Sequence, residues 1–479
     1  MALNWAAPAD VIELLLHYSK DGQNGTIDLR GGFIGFNYYE TLLSPHITAK
    51  LMIVDTGSSA LDEEASRASD ILGAIGDDLT GTYIDVKITN GSGNGLTPSF
   101  ETFNFSFDYP LYVESISNEI RADKVRIFTF NLYSKGAHKN NKCKILQEYN
   151  TSITESVKEI IGTRMNQVLK PVESSEGEEP KFDNASEENI PEENIPGYKR
   201  LDGNFEPTSN TEVFKPNDKK PFDLILEMAT HAKPVSGSAA GFLFYENIDG
   251  FNFRSVEDLA SHAPYPVKYV NRDTATFCDQ SNFRILDYNI VKSSLGANVI
   301  SKFQFTNNVF FSPSTLRYEE VPLTFMDGVF SKLGGNDLLT ADYRDKLLEY
   351  SKTNFFVRNN GNDAEGITGF AEEGEGITND PLLWDALGTM RYQFMLGRRI
   401  DAVVPCNFEL KVGMIIQCEF PMQTDVPEEG IADERMSGKW MIFSLAHKFS
   451  QNGEKGSLTH LSLTREGDGI YTVDEGVNQ

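Results

Sequence analysis

Gly438-Lys-Trp-Met-Ile-Phe-Ser-Leu-Ala-His447, followed past a turn at Asn452-Gly453 by Leu458-Thr-His-Leu-Ser-Leu-Thr-Arg465, is the stretch whose reading decides the fold. Met441, Phe443, Leu445 and Phe449 recur with a period of two, the spacing of side chains on one face of a strand. Asn-Gly is a strong hairpin signal, so a return strand is expected from Ser457 to Arg465. Upstream, Asn407 to Phe420 reads as two further strands broken at Val412-Gly413. Residues 396–468 are therefore expected to form a C-terminal β domain, and 469–479 a polar, acidic tail.

Working back from that domain, Asp380-Pro381 predicts a helix start, with Leu383, Leu387, Met390 and Phe394 on one face. Before it lie a polar stretch from Asn359 to Gly376 and a helix expected near Thr340 to Tyr350. Pro221 opens another helix, with Phe222, Ile225 and Ala229 in register, and Gly241 to Phe253 reads as a hairpin around Asp249-Gly250. Residues 221–395 form a mixed middle region on this reading. From Glu173 to Glu193 there are nine acidic residues and one Lys, with Glu-Glu-Asn-Ile-Pro in tandem at 187–191 and 192–196. Such a segment buries too little apolar surface to offset its ordering entropy, so a mobile linker is expected up to about residue 218. Ser152 and Glu155 form a capping box, and Ile153, Val157, Ile160 and Ile161 share one helix face within the 136–220 region.

The first 135 residues alternate as strands do. The alternating sets are Ile47, Ala49, Leu51 and Ile53; Ile84, Val86 and Ile88; Phe103, Phe105 and Phe107; and Phe128, Phe130 and Leu132. Turn-rich pieces at Gly57-Ser-Ser and Asn90 to Gly95 space them as a small antiparallel barrel or sandwich would.

Composition narrows the function classes. Forty-three Lys and Arg against 70 Asp and Glu leave a formal charge of -27, which argues against binding nucleic acid or anionic lipid through phosphates. No run approaches the roughly 18 apolar residues of a membrane span, and the N-terminus lacks the basic flank of a signal peptide. The chain reads as soluble and made in the cytosol. Cys143, Cys278, Cys406 and Cys418 are isolated from one another, as buried reduced thiols would be.

Three stretches imitate functional motifs. Val54-Asp55-Thr-Gly-Ser-Ser59 reads like an aspartic-protease loop, but that chemistry needs a second carboxylate to share the proton, and no other Asp-Thr-Gly or Asp-Ser-Gly occurs. A strand end with a turn is the expected role of Asp55. Asp21 to Asp28 imitates half of an EF-hand loop, yet Lys20, Gly22 and Gly31 stand where oxygen ligands belong, so a hairpin turn is expected. His447 and His460 would face each other across the hairpin if its turn closes symmetrically; sequence places no third metal ligand beside them. No residue is assigned a catalytic, cofactor-binding or metal role, and no cofactor is expected.

The runs Phe408-Glu-Leu-Lys-Val-Gly-Met-Ile-Ile416, Gly438 to His447 and Leu458 to Arg465 resemble the hub domain of contractile phage baseplates and related injection machines. Phe36-Asn-Tyr-Tyr-Glu-Thr-Leu-Leu43 with Ile47 to Asp55, then Ser152 to Ile161, then Gly241 to Phe253 with Pro264-Tyr-Pro266, resemble the T-even-type hub subunit in the same chain order. The resemblance spans most of residues 10–468, and the acidic linker and the stretch near 355–378 look like insertions. It implies an α+β, mainly β, multidomain chain with two small antiparallel β-barrels, helices and a mixed middle region. It further implies a non-enzymatic homotrimeric ring in the tail baseplate of the virion, assembled in the host cytoplasm. In that family three chains present six barrels, matching a sixfold tail tube on one side and a threefold central spike on the other. Baseplate wedge proteins extend the partner set, and DNA passes through without specific binding or membrane insertion. Two other readings stand beside this one: an acid hydrolase, aspartic-protease-like or glycan-cleaving, and a hub in an injection device that carries no genome.

Overall fold

The computed structural model describes residues 9–20, 23–56, 71–76, 79, 81–90, 104–106, 111–122, 125–165, 204–209, 211, 213–235, 241–271, 282–292, 305–312, 316–324, 353–357, 388, 391–392, 395, 398–422, 432–433, 436–450 and 458–465. The fold is mainly β, as expected. Several expected features lie outside the described residues: the turns at 57–59, 91–95 and 452–453, Cys278, most of the acidic linker, the polar stretch 359–376 and the helix near 340–350.

The first half follows from alternation. β1 (Ala9–Lys20) pairs with β2 (Gln23–Asp28), and a 3-10 turn, Arg30–Gly32, leads into β3 (Phe33–Thr41) and β4 (Thr48–Asp55). After α1 (Ile71–Ile75) come β5 (Tyr83–Asn90), β6 (Asn104–Ser106), β7 (Leu111–Ala122) and β8 (Val125–Tyr133). Ile47, Ala49, Leu51, Ile53, Ile84, Val86, Phe128, Phe130 and Leu132 are all buried, the faces their spacing dictates. The strand order is β3-β4-β8-β7-β5-β1-β2. Leu29 N donates to Leu14 O at 2.9 Å, and a Cβ on Gly32 would meet Val54 O at 2.2 Å, so the turn from β2 to β3 packs onto both β1 and β4.

A second core fills the middle of the chain. α2 (Lys135–Lys142) and α3 (Ile153–Glu159) precede α4 (Pro221–His231), with Pro221 in its first turn. Ser152 Oγ accepts from Glu155 N at 3.4 Å, half of the expected capping box, while the Glu155 carboxylate pairs with Lys158 instead. Phe205 and Phe214 are buried beside Val157, Ile225 and Phe253, with backbone bridges at Ile145↔Lys219 and Tyr149↔Phe214. The C-terminal end of the segment expected to be mobile is thus part of a core, because Phe205 and Phe214 supply apolar surface to bury there. The expected hairpin is β9 (Phe242–Asn247) and β10 (Gly250–Ser255), followed by α5 (Val256–Ser261). All six β9 residues are buried, Leu243 and Tyr245 in the first core and Phe242 and Phe244 in the second. One strand therefore serves both.

β11 (Lys268–Val270), β12 (Asn282–Arg284) and β13 (Asp287–Lys292) come next. A separate sheet holds β14 (Phe305–Ser312), β15 (Arg317–Thr324) and β16 (Thr353–Val357). Of the helix expected from Asp380, Gly388, Arg391, Tyr392 and Met395 are described as helical, and Arg391 and Met395 are buried; the four residues expected on its face lie outside the described ones. The deciding stretch gives β17 (Arg398–Pro405), β18 (Ile415–Glu419), β19 (Gly438–Ser450) and β20 (Leu458–Arg465). Of the two strands expected between Asn407 and Phe420 only β18 forms. Asn407 Nδ2 instead donates to the Tyr269 and Tyr265 hydroxyls, and Gly413 turns at φ 85° against Tyr245.

The C-terminal strands run β11-β18-β19-β20-β17-β13, and β12 returns to β11 through Ile285 and Leu286, whose N–H groups donate to Val270 O and Val403 O at 2.8 Å. Among the described residues no ladder closes into a complete barrel; each set of strands is interrupted at one connection, the 3-10 turn before β3 or the bend between β12 and β13. The C-terminal set is also mixed, since β11 pairs parallel with β12 and β18. β19 pairs antiparallel with β3 from Ser444↔Thr41 to Ser450↔Gly35, so both ends of the chain share one 15-stranded sheet.

Candidate functional site

The seam between β3 and β19 gathers groups that no local pattern connects. Glu40, on β3, is 2% exposed; Tyr38 Oη donates to its Oε1 at 2.5 Å, Ile248 N to the same oxygen at 2.9 Å and Val412 N to Oε2 at 3.1 Å. One carboxyl thereby ties an N-terminal strand to the β9–β10 loop and to the turn before β18. Burial pushes Glu40 up to about 7, against the pull of these three donors and of Lys411. Lys411 itself reaches Asp249 Oδ2 at 2.5 Å. Glu246, on β9, repeats the device: its Oε2 accepts from Ile47 N at 3.2 Å and from the Ser134 hydroxyl. A buried carboxylate surrounded by donors fixes geometry and leaves no lone pair aimed at solvent for chemistry.

Asp55 ends β4, is 2% exposed, and accepts from Ile71 N through Oδ2 at 2.8 Å. Its place is a strand end, and its carboxylate caps α1 from a distant position in the chain. Gln23 to Asp28, the described part of the calcium-like stretch, is a strand paired with β1, and Asp28 binds Arg30, whose guanidinium holds the carboxyl below its usual range. Asp28 is thus committed to an ion pair.

His447 and His460 do not face each other. His447 pairs with Thr459 and His460 with Ala446, a register one residue away from the symmetric closure of the turn. A one-residue shift sends two side chains to opposite faces of a sheet. His447 is buried between Tyr38 and Phe408, with Nδ1 2.9 Å from Thr459 Oγ1, and burial pushes it down to about 3. Cys406 Sγ lies 4.0 Å from the same nitrogen, a Cys–His pair that sequence did not single out. Burial pushes the Cys406 thiol up to about 12 and the His447 imidazole down, which favours the neutral form of both. Cys143 and Cys418 are buried.

His460 faces a cleft of about 620 Å³ that crosses the seam, lined by Tyr39, Asp287, Asp401, Ser444 and Ser462 among others. Ser462 Oγ donates to Asp401 Oδ1 at 2.8 Å and accepts from Arg399 Nη2 at 3.0 Å, so this carboxylate too is engaged. β19 contributes Ser444, Leu445 and Ala446 to its lining, and β20 contributes Leu461 and Ser462 beside His460. Among the described residues no three His, Cys, Asp or Glu side chains are grouped to hold a metal, and no helix is long and apolar enough to cross a membrane.

No protein-family model matches the chain, and no curated protein matches it. Solved structures similar to it include a tail protein from Neisseria meningitidis MC58 and the prophage MuSo2 43 kDa tail protein from Shewanella oneidensis. Each is 10% identical, covers 95% of this chain and 98% of its own, and has a TM-score of 0.46. The prophage tail protein gp18 from Listeria monocytogenes EGD-e is 8% identical over 94% of either chain, with a TM-score of 0.41. The E. coli c3393 protein, a component of the type VI secretion system described as similar to T4 tail proteins gp27 and gp5, is 7% identical, covers 92% of this chain and 76% of its own, and has a TM-score of 0.36. The chain is thus similar to phage tail and type VI secretion proteins.

Proposed function

We propose that this chain is a non-enzymatic structural hub of a contractile phage tail baseplate, a homotrimeric ring that joins the sixfold tail tube to the threefold spike and lets DNA pass. One observation carries the reading. Counted outward from the β3–β19 seam, the sheet runs β4-β8-β7 on one side and β20-β17-β13 on the other, two like halves of one antiparallel run. Two like units per chain are what a trimer needs to present six to a sixfold tube. The order of residues that resembles the hub subunit supports the same reading. So does the engagement of Asp55, Asp28 and Glu40 in capping, ion pairing and bracing, which leaves each of them a structural task.

Mass photometry of the purified chain, alone and with tube and spike proteins added, tests the proposal. The expected result is a species of three chain masses that gains mass with each partner. A persistent monomer that binds neither overturns it.

A further inference from the structure

Two turns close over the Glu40 carboxyl. One is the tip of the β9–β10 hairpin, Ile248 and Asp249, which leaves through Gly250 at φ 115°. The other is Lys411 and Val412, which leaves through Gly413 at φ 85°. Each turn hands one backbone N–H to Glu40, from Ile248 at 2.9 Å and from Val412 at 3.1 Å, beside a glycine in the left-handed region. Lys411 Nζ and Asp249 Oδ2, 2.5 Å apart, tie one turn to the other, so the two form one cover. The strand ladders bypass this contact: β9 pairs with β10, β18 with β11 and β19, and β3 with β4 and β19. Past the second turn the chain is anchored again, since Gly413 N donates to Ile442 O and Ile442 N to Met414 O, each at 2.9 Å.

Titratable and charged groups meet the carboxyl from the elements packed on it: Tyr38 on β3, Tyr245 on β9, Asp249 at the hairpin tip and Lys411 in the second turn, with His447 of β19 stacked on Tyr38. Burial favours the protonated form, the three donors and Lys411 favour the ionised one, and burial prevails, raising Glu40 from 4.5 to about 7. Lifting the cover readmits water, so the carboxyl returns toward its ordinary range and gives up its proton. We propose that Glu40 is a proton-operated latch: protonated, it holds the hairpin tip and the second turn closed on β3; deprotonated, it lets them lift together about Gly250 and Gly413 while the strands stay paired. The closed state keeps its proton up to about pH 7 and the lifted state loses it above pH 4.5, so the latch is tightest below pH 4.5 and loosens until pH passes 7. The hairpin whose strand β9 serves both cores is thereby pinned to the sheet in acid and released toward neutral pH. The latch does not depend on the hub reading.

Native-state hydrogen exchange of the full chain, read by NMR in steps from pH 5 to pH 8 in low urea and corrected for the intrinsic pH dependence of exchange, tests the latch. The Ile248 and Val412 amides report it directly, since both donate to Glu40. They should lose protection together, by on the order of a hundredfold from pH 5 to pH 8, at rates that low urea leaves unchanged. Amides of β4 and β20 should instead exchange through a urea-sensitive opening of the whole fold. Glu40→Gln should abolish the pH dependence at both reporting amides. Lys411→Met, at a partly exposed side chain, keeps the carboxyl but removes a cation that favours its ionised form, so the loss of protection should come at higher pH. Protection at the two amides that is equal at pH 5 and pH 8, or as urea-sensitive as in β4 and β20, overturns the latch, as does a pH dependence that neither substitution alters.

Discussion

Glu40 is the residue at which charge, burial and connectivity meet. Its carboxyl is raised from 4.5 to about 7 by burial, so the folded chain holds a proton there that the unfolded chain releases. The sign follows: the contribution is fully present below pH 4.5 and is lost as pH rises through 7. At about 1.4 kcal/mol per pKa unit the loss across that window is on the order of 3 kcal/mol. Glu40→Gln removes the titration, so urea unfolding at pH 5 and pH 8 should show a flatter pH dependence than the wild type. At pH 5 the variant should be the weaker by about 1–3 kcal/mol, because a carboxamide nitrogen must face the N–H of either Ile248 or Val412, and both are donors. Equal slopes for the two proteins would remove Glu40 from the pH dependence. Period two puts Glu40 on the buried face with Phe36 and Tyr38, but sequence hid what holds it there, since its two backbone donors come from 208 and 372 positions away.

Elements were legible where their cause is local. Pro221 opens α4, Ser152 caps α3, and alternating Ile47 to Ile53 and Phe128 to Leu132 bury the faces they announce, since a cap or a period is written in adjacent residues. What sequence missed depends on distant partners. The β3–β19 pairing joins positions some 400 apart; the register in which β19 and β20 meet sets His447 against Thr459 rather than His460; and the tyrosine hydroxyls that hold Asn407 take the chain out of the first strand expected there. The cap offers a test at this scale. Ser152→Ala should lower stability by about 1 kcal/mol, read as a lower Tm, because Glu155 N loses its acceptor. Glu155→Gln should change it little, since that carboxylate is 63% exposed and, among the described residues, reaches Lys158 rather than completing a capping box. A cost for Glu155→Gln matching that of Ser152→Ala would mean that the reciprocal half of the box forms after all.

Across the whole molecule, two cores share one strand. The first draws on residues from Leu14 to Leu463 and so binds both ends of the chain into one packed unit; the second spans Ala137 to Phe253. β9 lies between them with alternate side chains in each, Tyr245 in the first and Phe244 in the second. Cooperative units open together when they share buried contacts, so amides of β4 and β20 should exchange with one opening free energy despite their separation in sequence. α3 and α4, packed in the smaller core, should open on their own at lower cost. Phe244→Ala removes a fully buried ring from the second core alone, a change of about 3–5 kcal/mol, while leaving the face of β9 that carries Tyr245 untouched. Hydrogen exchange of that variant should quicken in α3 and α4 well before β4 and β20. Equal acceleration in all four would mean that β9 welds the two cores into one unit, and that the middle of the chain cannot move without loosening the sheet.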